Sequence, residues 1–207
     1  MRLVRYQADG RTGVGALLAD GSVVATPWPD FEALLAEPDP FRAATALDLS
    51  DREPVAVRRL LAPVVNRAQV IGTGGNYADH AAEARTGGLV VAEPVFMPYL
   101  WGAVIGPQDD IVIPTADTQT DYEVELSVVI GRTARGLTEE TAMDAVFGFT
   151  IVNDVSAREV MVRPGCLADL LPARVRGAPH PRSRPPPCQR RLAVRLHPGR
   201  PGAGHRA

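Results

Sequence analysis

The sequence predicts an α+β fold that is mostly β, on three observations. Aspartate–glycine pairs at Asp9-Gly10 and Asp20-Gly21 separate short apolar runs, which is the pattern of tight hairpins. The run from Asp121 to Ile130 alternates, with Tyr122, Val124, Leu126, Val128 and Ile130 on one face of a strand and Asp121, Glu123, Glu125, Ser127 and Val129 on the other. Phe147–Val152 (FGFTIV) is apolar and rich in strand-forming residues, and it ends at Asn153-Asp154.

In chain order, Met1–Tyr6, Val14–Leu18 and Ser22–Ala25 read as short strands around the two turns. Phe31–Leu35 and Val55–Leu61 read as helices. Residues 1–62 are expected to form a small N-terminal β-rich domain, and no chemistry-bearing constellation lies within it. Pro63–Arg67 reads as a linker, Gln69–Gly72 as a strand and Thr73-Gly74-Gly75 as a turn. Asn76 is a helix N-cap candidate, with Asp79 at the third helical position, and the helix is expected over Tyr77–Ala84.

On that helix His80 and Glu83 are three residues apart and share a face. A histidine so placed is most often a packed or surface residue. The functional alternative is a base and its orienting partner, in which the glutamate fixes the imidazole tautomer and the histidine takes a proton from water or substrate. The glycine turn is not a dinucleotide fingerprint, because Tyr77 stands where the last glycine of that pattern is needed. Ala92–Gly106 is apolar and carries prolines and aromatics, so it can line a pocket or cross a sheet edge. Gly106-Pro107 and Asp109-Asp110 mark a turn, Ile111–Ile113 a strand, and residues 114–120 a polar loop.

The alternating run then sets two demands. Its apolar face calls for a core, and its acidic face for water or a cation. Glu123 and Glu125 point the same way, roughly 7 Å apart along a strand. Asp154 follows the next strand, and if the two strand ends meet, Glu123, Glu125 and Asp154 form a three-carboxylate cluster. All-oxygen ligands suit Mg²⁺, Mn²⁺ or Ca²⁺. Alternating acids on a half-exposed strand serve more often as a solvated face.

Charge divides the chain. The 207 residues carry a formal charge of −2, and every basic residue is arginine. Residues 1–160 hold 12 Arg against 23 acids, whereas residues 161–207 hold 10 Arg against one acid, Asp169. No apolar run is long enough to span a membrane and no signal-peptide pattern opens the chain, so a cytoplasmic location is expected.

Four segments together resemble the fumarylacetoacetate hydrolase family: Gly75–Glu83 (GNYADHAAE), Ala103–Pro107 (AVIGP), Asp121–Gly131 (DYEVELSVVIG) and Asn153–Glu159 (NDVSARE). Each is weak alone, but the four in register are specific, and they cover roughly residues 66–160. The resemblance implies a mixed β-roll with a divalent cation, usually Mg²⁺ or Mn²⁺. It implies Glu123, Glu125 and Asp154 as the metal ligands and His80 with Glu83 as the catalytic dyad. Members act on 2-oxo acids or β-dicarbonyl acids as hydrolases, decarboxylases, isomerases or hydratases, and are commonly homodimers. Two positions depart from the family. Phe96-Met97 is followed by Pro98 where a lysine is frequent, and Met161 stands near a frequent glutamine; both changes bear on substrate binding.

The likeness ends at about residue 162. Residues 163–207 are rich in Arg, Pro, Ala and Gly with little periodicity, and such a segment buries too little apolar surface to offset its chain entropy. A disordered tail is expected there. A shifted reading frame near residues 162–168 of GC-rich DNA accounts for this composition, and it predicts a partial catalytic domain over 66–162 with the roll incomplete at its C-terminal side. Resequencing the gene tests it: a one-base correction should restore a family-like continuation. A catalytically inactive remnant of the fold, or an interaction protein, is the alternative. An arginine-rich nucleic-acid-binding tail ranks below both, since it offers Arg182, Arg184, Arg190 and Arg191 for phosphates but no aromatic residue for stacking. Cys166, His180, Cys188 and His197 lack zinc-site spacing.

Overall fold

The structure is a computed structural model, and it describes residues 1–63, 68–74, 76–77, 95–113, 119–161 and 194–196. The chain divides into two compact units, Met1–Val65 with Ile105–Ala207, and Asn66–Val104. Residues 1–65 fall in one unit with later segments because the N-terminal strands share a sheet and a core with strands from the middle of the chain.

The first unit is built on a seven-stranded sheet in the order β3 (Val23–Ala25), β2 (Arg11–Leu17), β1 (Arg2–Ala8), β11 (Val194–Leu196), β9 (Val146–Asn153) and β8 (Val124–Ile130), with β4 (Arg59–Leu61) also paired to β1. Strand β1 (Arg2–Ala8) and β2 (Arg11–Leu17) form a hairpin in which Ala8 pairs with Arg11. The two linking residues, Asp9 and Gly10, have φ of 47° and 74°, the left-handed pair a two-residue hairpin turn demands. Strand β3 (Val23–Ala25) continues the meander after a turn in which the Asp20 carboxylate accepts from the Ser22 amide and hydroxyl at 2.9 and 2.7 Å. Helix α1 (Phe31–Leu35) begins at Asp30, whose side chain accepts from the Ala33 amide at 2.8 Å. Helix α2 (Pro40–Thr45), which the sequence reading does not anticipate, begins in the same way at Asp39, with Pro40 in its first turn.

Alternation along β1 feeds two cores. Leu3 joins Val14, Trp28, Phe31, Leu34 and Ala44 on the helix-covered face, and Val129 and Phe147 belong to that same cluster. Val4 joins Leu17, Val23 and Leu60 on the other. The residues 1–62 therefore share their main core with β8 (Val124–Ile130) and β9 (Val146–Asn153).

Several expected elements are replaced. Val55–Leu61 is not a helix. The Val55 amide donates to the Val23 carbonyl at 2.7 Å, and β4 (Arg59–Leu61) pairs with Arg5–Gln7 of β1. The segment gains a sheet edge to pair with and a place for Leu60 in the second core, which a short isolated helix does not offer. Ile111–Ile113 forms no strand. Within the stretch where a disordered tail is expected, Val194–Leu196 forms β11, which pairs antiparallel with β1 on one side and β9 on the other.

The β8–β9 pair runs antiparallel from Val124↔Asn153 to Ile130↔Val146, with an irregularity between Val129 and Ile130. The expected alternation is present, but the apolar face does not meet a core. Tyr122 and Leu126 are 75% and 62% exposed, and Val124, Val128 and Ile130 are exposed with them. The opposite face is the covered one: Glu123, Glu125 and Ser127 are half-buried and Val129 is buried. The reason lies in the sheet. Val129 and Phe147 pack with Leu3, Phe31 and Leu34, and this fixes which side of β8 turns inward. Between the two strands lie α3 (Glu139–Ala142) and a 3₁₀ turn over Met143–Ala145.

The second unit contains a hairpin-like pair, β5 (Val70–Gly74) and β6 (Val95–Tyr99), in register from Val70↔Tyr99 to Gly74↔Val95. At Gly72 a Cβ would stand 2.4 Å from the Tyr99 ring, so the aromatic lies directly over the glycine. Among the described residues no helix is long and apolar enough to cross a membrane.

Candidate functional site

The acidic residues gather where β8 and β9 end. Beyond Val124↔Asn153 the ladder continues for one step, with the Asp154 amide donating to the Glu123 carbonyl at 2.7 Å. The Glu123 amide is itself held by the Asn153 side-chain oxygen at 3.0 Å. Past this step, β7 (Thr120–Asp121) pairs with β10 (Ser156–Ala157) so that Asp121 faces Ser156. Period two then puts Asp121, Glu123 and Glu125 on the face shared by Asp154 and Ser156. All five are half-buried, while Tyr122, Val124 and Val155 between them are exposed.

Helix α4 (Arg158–Met161) begins next to this row. The Arg158 Nε donates to Asp121 Oδ2 at 3.0 Å, and its Nη2 lies 3.2 Å from Glu123 Oε1. The Ser156 hydroxyl donates to the same Glu123 oxygen at 2.6 Å. Partial burial works against the Arg158 charge, but the hydrogen bond to Asp121 and the charges of Glu123 and Asp121 outweigh it and raise the guanidinium above its ordinary value. The Glu123 side chain is only 16% exposed, so its ion pair is better shielded from water than a surface one.

The three expected ligands thus share one face and one end of a strand pair, with Glu123 directly across from Asp154. Their carboxylates do not converge: among the described residues no three acidic, histidine or cysteine side chains lie close enough to hold a metal ion. Their all-oxygen donor chemistry is of the kind that suits a hard divalent cation, but Glu123 Oε1 is held by Arg158 and Ser156. His80 and Glu83 lie outside the described residues, as does most of the expected helix Tyr77–Ala84.

Sequence reasoning missed Asp121, Ser156 and Arg158 as parts of this site. The signal was available: Asp121 is in phase with Glu123 and Glu125, and Ser156 and Arg158 follow Asp154 at even spacing.

A family model for the fumarylacetoacetate (FAA) hydrolase C-terminal domain matches residues 69–173, about half of the chain. A Burkholderia ambifaria (strain MC40-6) protein that bears a provisional hydrolase name is 41% identical over 173 residues, covering 80% of this chain and 59% of its own. The fumarylacetoacetate hydrolase of psychrophilic Exiguobacterium antarcticum superposes with a TM-score of 0.60 at 36% identity, over 78% of this chain and 58% of its own. A maleylpyruvate hydrolase from Sphingobium sp. SYK-6, solved with manganese(II) and pyruvate, superposes with a TM-score of 0.57 at 25% identity, over 75% of this chain and 58% of its own. The chain therefore spans less than two thirds of the length of these relatives. With the motifs of the acidic strand pair inside the matched region, the chain belongs to the fumarylacetoacetate hydrolase family.

Proposed function

We propose that the chain carries the cation-binding part of an enzyme that acts on a small 2-oxo or β-diketo acid, cleaving a carbon–carbon bond of the acylpyruvate type. The observation that supports this reading most is the placement of Glu123, Glu125 and Asp154 on one face at the end of β8 and β9. The manganese and pyruvate bound to the Sphingobium relative fit the same chemistry. A family of hydrolases and related enzymes makes catalysis the natural use of such a site.

In this reading Glu123, Glu125 and Asp154 supply hard oxygen donors for Mg²⁺ or Mn²⁺. Such a cation supplies Lewis acidity to the carboxylate and keto oxygens of a 2-oxo acid and offsets the negative charge that develops as the bond breaks. Glu83 orients His80, and His80 takes a proton from a water molecule. The water oxygen adds to the distal carbonyl carbon. The carbon–carbon bond then breaks, its electron pair passes to the pyruvate fragment, and the returned proton completes pyruvate and a carboxylic acid. Where no water is admitted, the same electron flow serves decarboxylation or tautomerisation, so residues beyond these five select the reaction.

The test has two parts. Mn²⁺ binding should be saturable and should be lost in Glu123→Ala; a wild-type chain that takes up no Mn²⁺ removes the metal site. Acylpyruvate cleavage and oxaloacetate decarboxylation, assayed with Mn²⁺ on the chain and on its His80→Ala variant, then address turnover. Full cleavage activity in His80→Ala would sink the role given to His80.

A further inference from the structure

We propose that the outer face of the β8–β9 pair is a docking surface for an apolar, strand-forming polypeptide, of the kind that makes up the part of the longer family members with no counterpart in this chain. Val124, Leu126 and Val128 of β8 share this face with Phe149 and Ile151 of β9, because Leu126 stands opposite Ile151 and Val128 opposite Phe149. Val124, Leu126, Val128 and Ile151 are between 44% and 64% exposed, and Phe149 is half-buried.

An antiparallel sheet that meets water on one side ordinarily carries its polar residues there. Here the arrangement is reversed. Glu125 is the only charged residue of the two strands, and it lies half-buried on the opposite face with Ser127. The outer face thus has the composition of an inner face in a pair of packed sheets, where apolar side chains interdigitate across about 10 Å. A contiguous apolar patch of this kind marks an interaction surface.

The lengths of the relatives point to the occupant. This chain covers 59% of the Burkholderia ambifaria protein and 58% of the Exiguobacterium antarcticum structure, so about two fifths of each has no counterpart here. The strand pair lies inside residues 69–173, the stretch that matches the family's domain model. A sheet face with core composition, in a chain that accounts for part of a larger fold, is covered most simply by the rest of that fold. A second copy of this chain could bury the same face, but it would leave the shared shortfall in length unaccounted for. Strand periodicity sets the partner's pattern, with alternate apolar side chains toward Leu126 and Ile151 and polar ones away. A partner with charges on its inward face is excluded, since they would lose water against strands that offer no counter-charge on this side. The cation reading concerns the opposite face of the same strands and is not needed for this one.

The part of the Burkholderia ambifaria relative with no counterpart in this chain is produced as a separate tagged polypeptide, in cells that also make the full chain. The two are expected to co-purify as a one-to-one complex by light scattering. Leu126→Glu combined with Ile151→Glu should weaken the complex about tenfold or more, while the urea midpoint of the chain alone stays near that of wild type. Failure to co-purify overturns the proposal, and so does equal affinity in the charged variant. If the charged variant does not fold, Leu126→Ala combined with Ile151→Ala takes its place, and unchanged affinity there overturns the proposal. If the chain alone forms dimers that Leu126→Glu breaks, a second copy covers the face and the proposed occupant is wrong. No arm reads Mn²⁺ uptake, so each result leaves the cation reading untouched.

Discussion

Asp109 shows how a single side chain ties down a segment that has no regular structure. Its Oδ2 accepts from the Gly106 amide at 2.8 Å, and its Oδ1 pairs with the Arg59 guanidinium of β4. Burial alone would raise this carboxyl, but the Gly106 hydrogen bond and Arg59 outweigh it and hold the acid below its ordinary range. The sign of the pH dependence follows. A depressed folded value gives stability that is complete above the unfolded value of about 3.9 and is lost as pH falls through the folded one. Asp109→Asn should therefore lower the urea midpoint more at pH 7 than at pH 3. An equal loss at both would show that the carboxylate charge contributes nothing. Of the residues at the acidic site, Glu123, Glu125 and Asp154 were legible because strand period two and a strand end suffice to group them. Arg158 follows Asp154 at even spacing and carries the same signal, but a cation among carboxylates is not read as a ligand. His80 and Glu83 remain assignments from resemblance, outside the described residues.

Among the elements, the β8–β9 pair carries the sharpest contrast between what a pattern fixes and what it leaves open. Alternation told correctly which residues of β8 share a face. It could not tell which face is covered, because that depends on partners far away in sequence, Leu3, Phe31 and Leu34. The energetic consequence can be measured. Phe147 is 2% exposed at the centre of the helix-covered core, so Phe147→Ala should cost about 3–5 kcal/mol in urea unfolding. Leu126 is apolar yet exposed, and Leu126→Ala should stay within about 0.5 kcal/mol of wild type. A reversed ranking would mean that the two faces of β8 are assigned the wrong way round. The helices follow the same logic. Phe31–Leu35 is the helix the sequence leads one to expect, and Asp30 caps it while Phe31 and Leu34 are buried. Val55–Leu61 was misread because a short run of apolar and basic residues fits either period, and the free edge of β1 decided for strand.

For the molecule as a whole, the N-terminal residues and the acidic strand pair belong to one compact unit for a topological reason. Strand β11 lies between β1 and β9, and it joins the N-terminal meander to the acidic strand pair through backbone bonds. Nothing in the composition of residues 161–207 announces this, since three residues in a row rich in Arg and Pro do not read as a central strand. Proline cannot donate to a ladder, so Arg195→Pro should destabilise the sheet by at least about 1 kcal/mol, read as a lower urea midpoint. An unchanged midpoint would remove β11 from the sheet.

The pairing of Arg2 with Arg195 also sets a timetable. The β1–β2 hairpin closes through a two-residue turn and can form as soon as Leu17 has been synthesised. The same strand's other edge stays half open, with only β4 to cover Arg5–Gln7, until Val194–Leu196 has been made. Closing so long a loop is slow, because its entropy must be lost before the contacts form. A nascent chain therefore carries an unpaired strand edge for most of its synthesis, and the fidelity of its folding depends on what that edge meets in the interval.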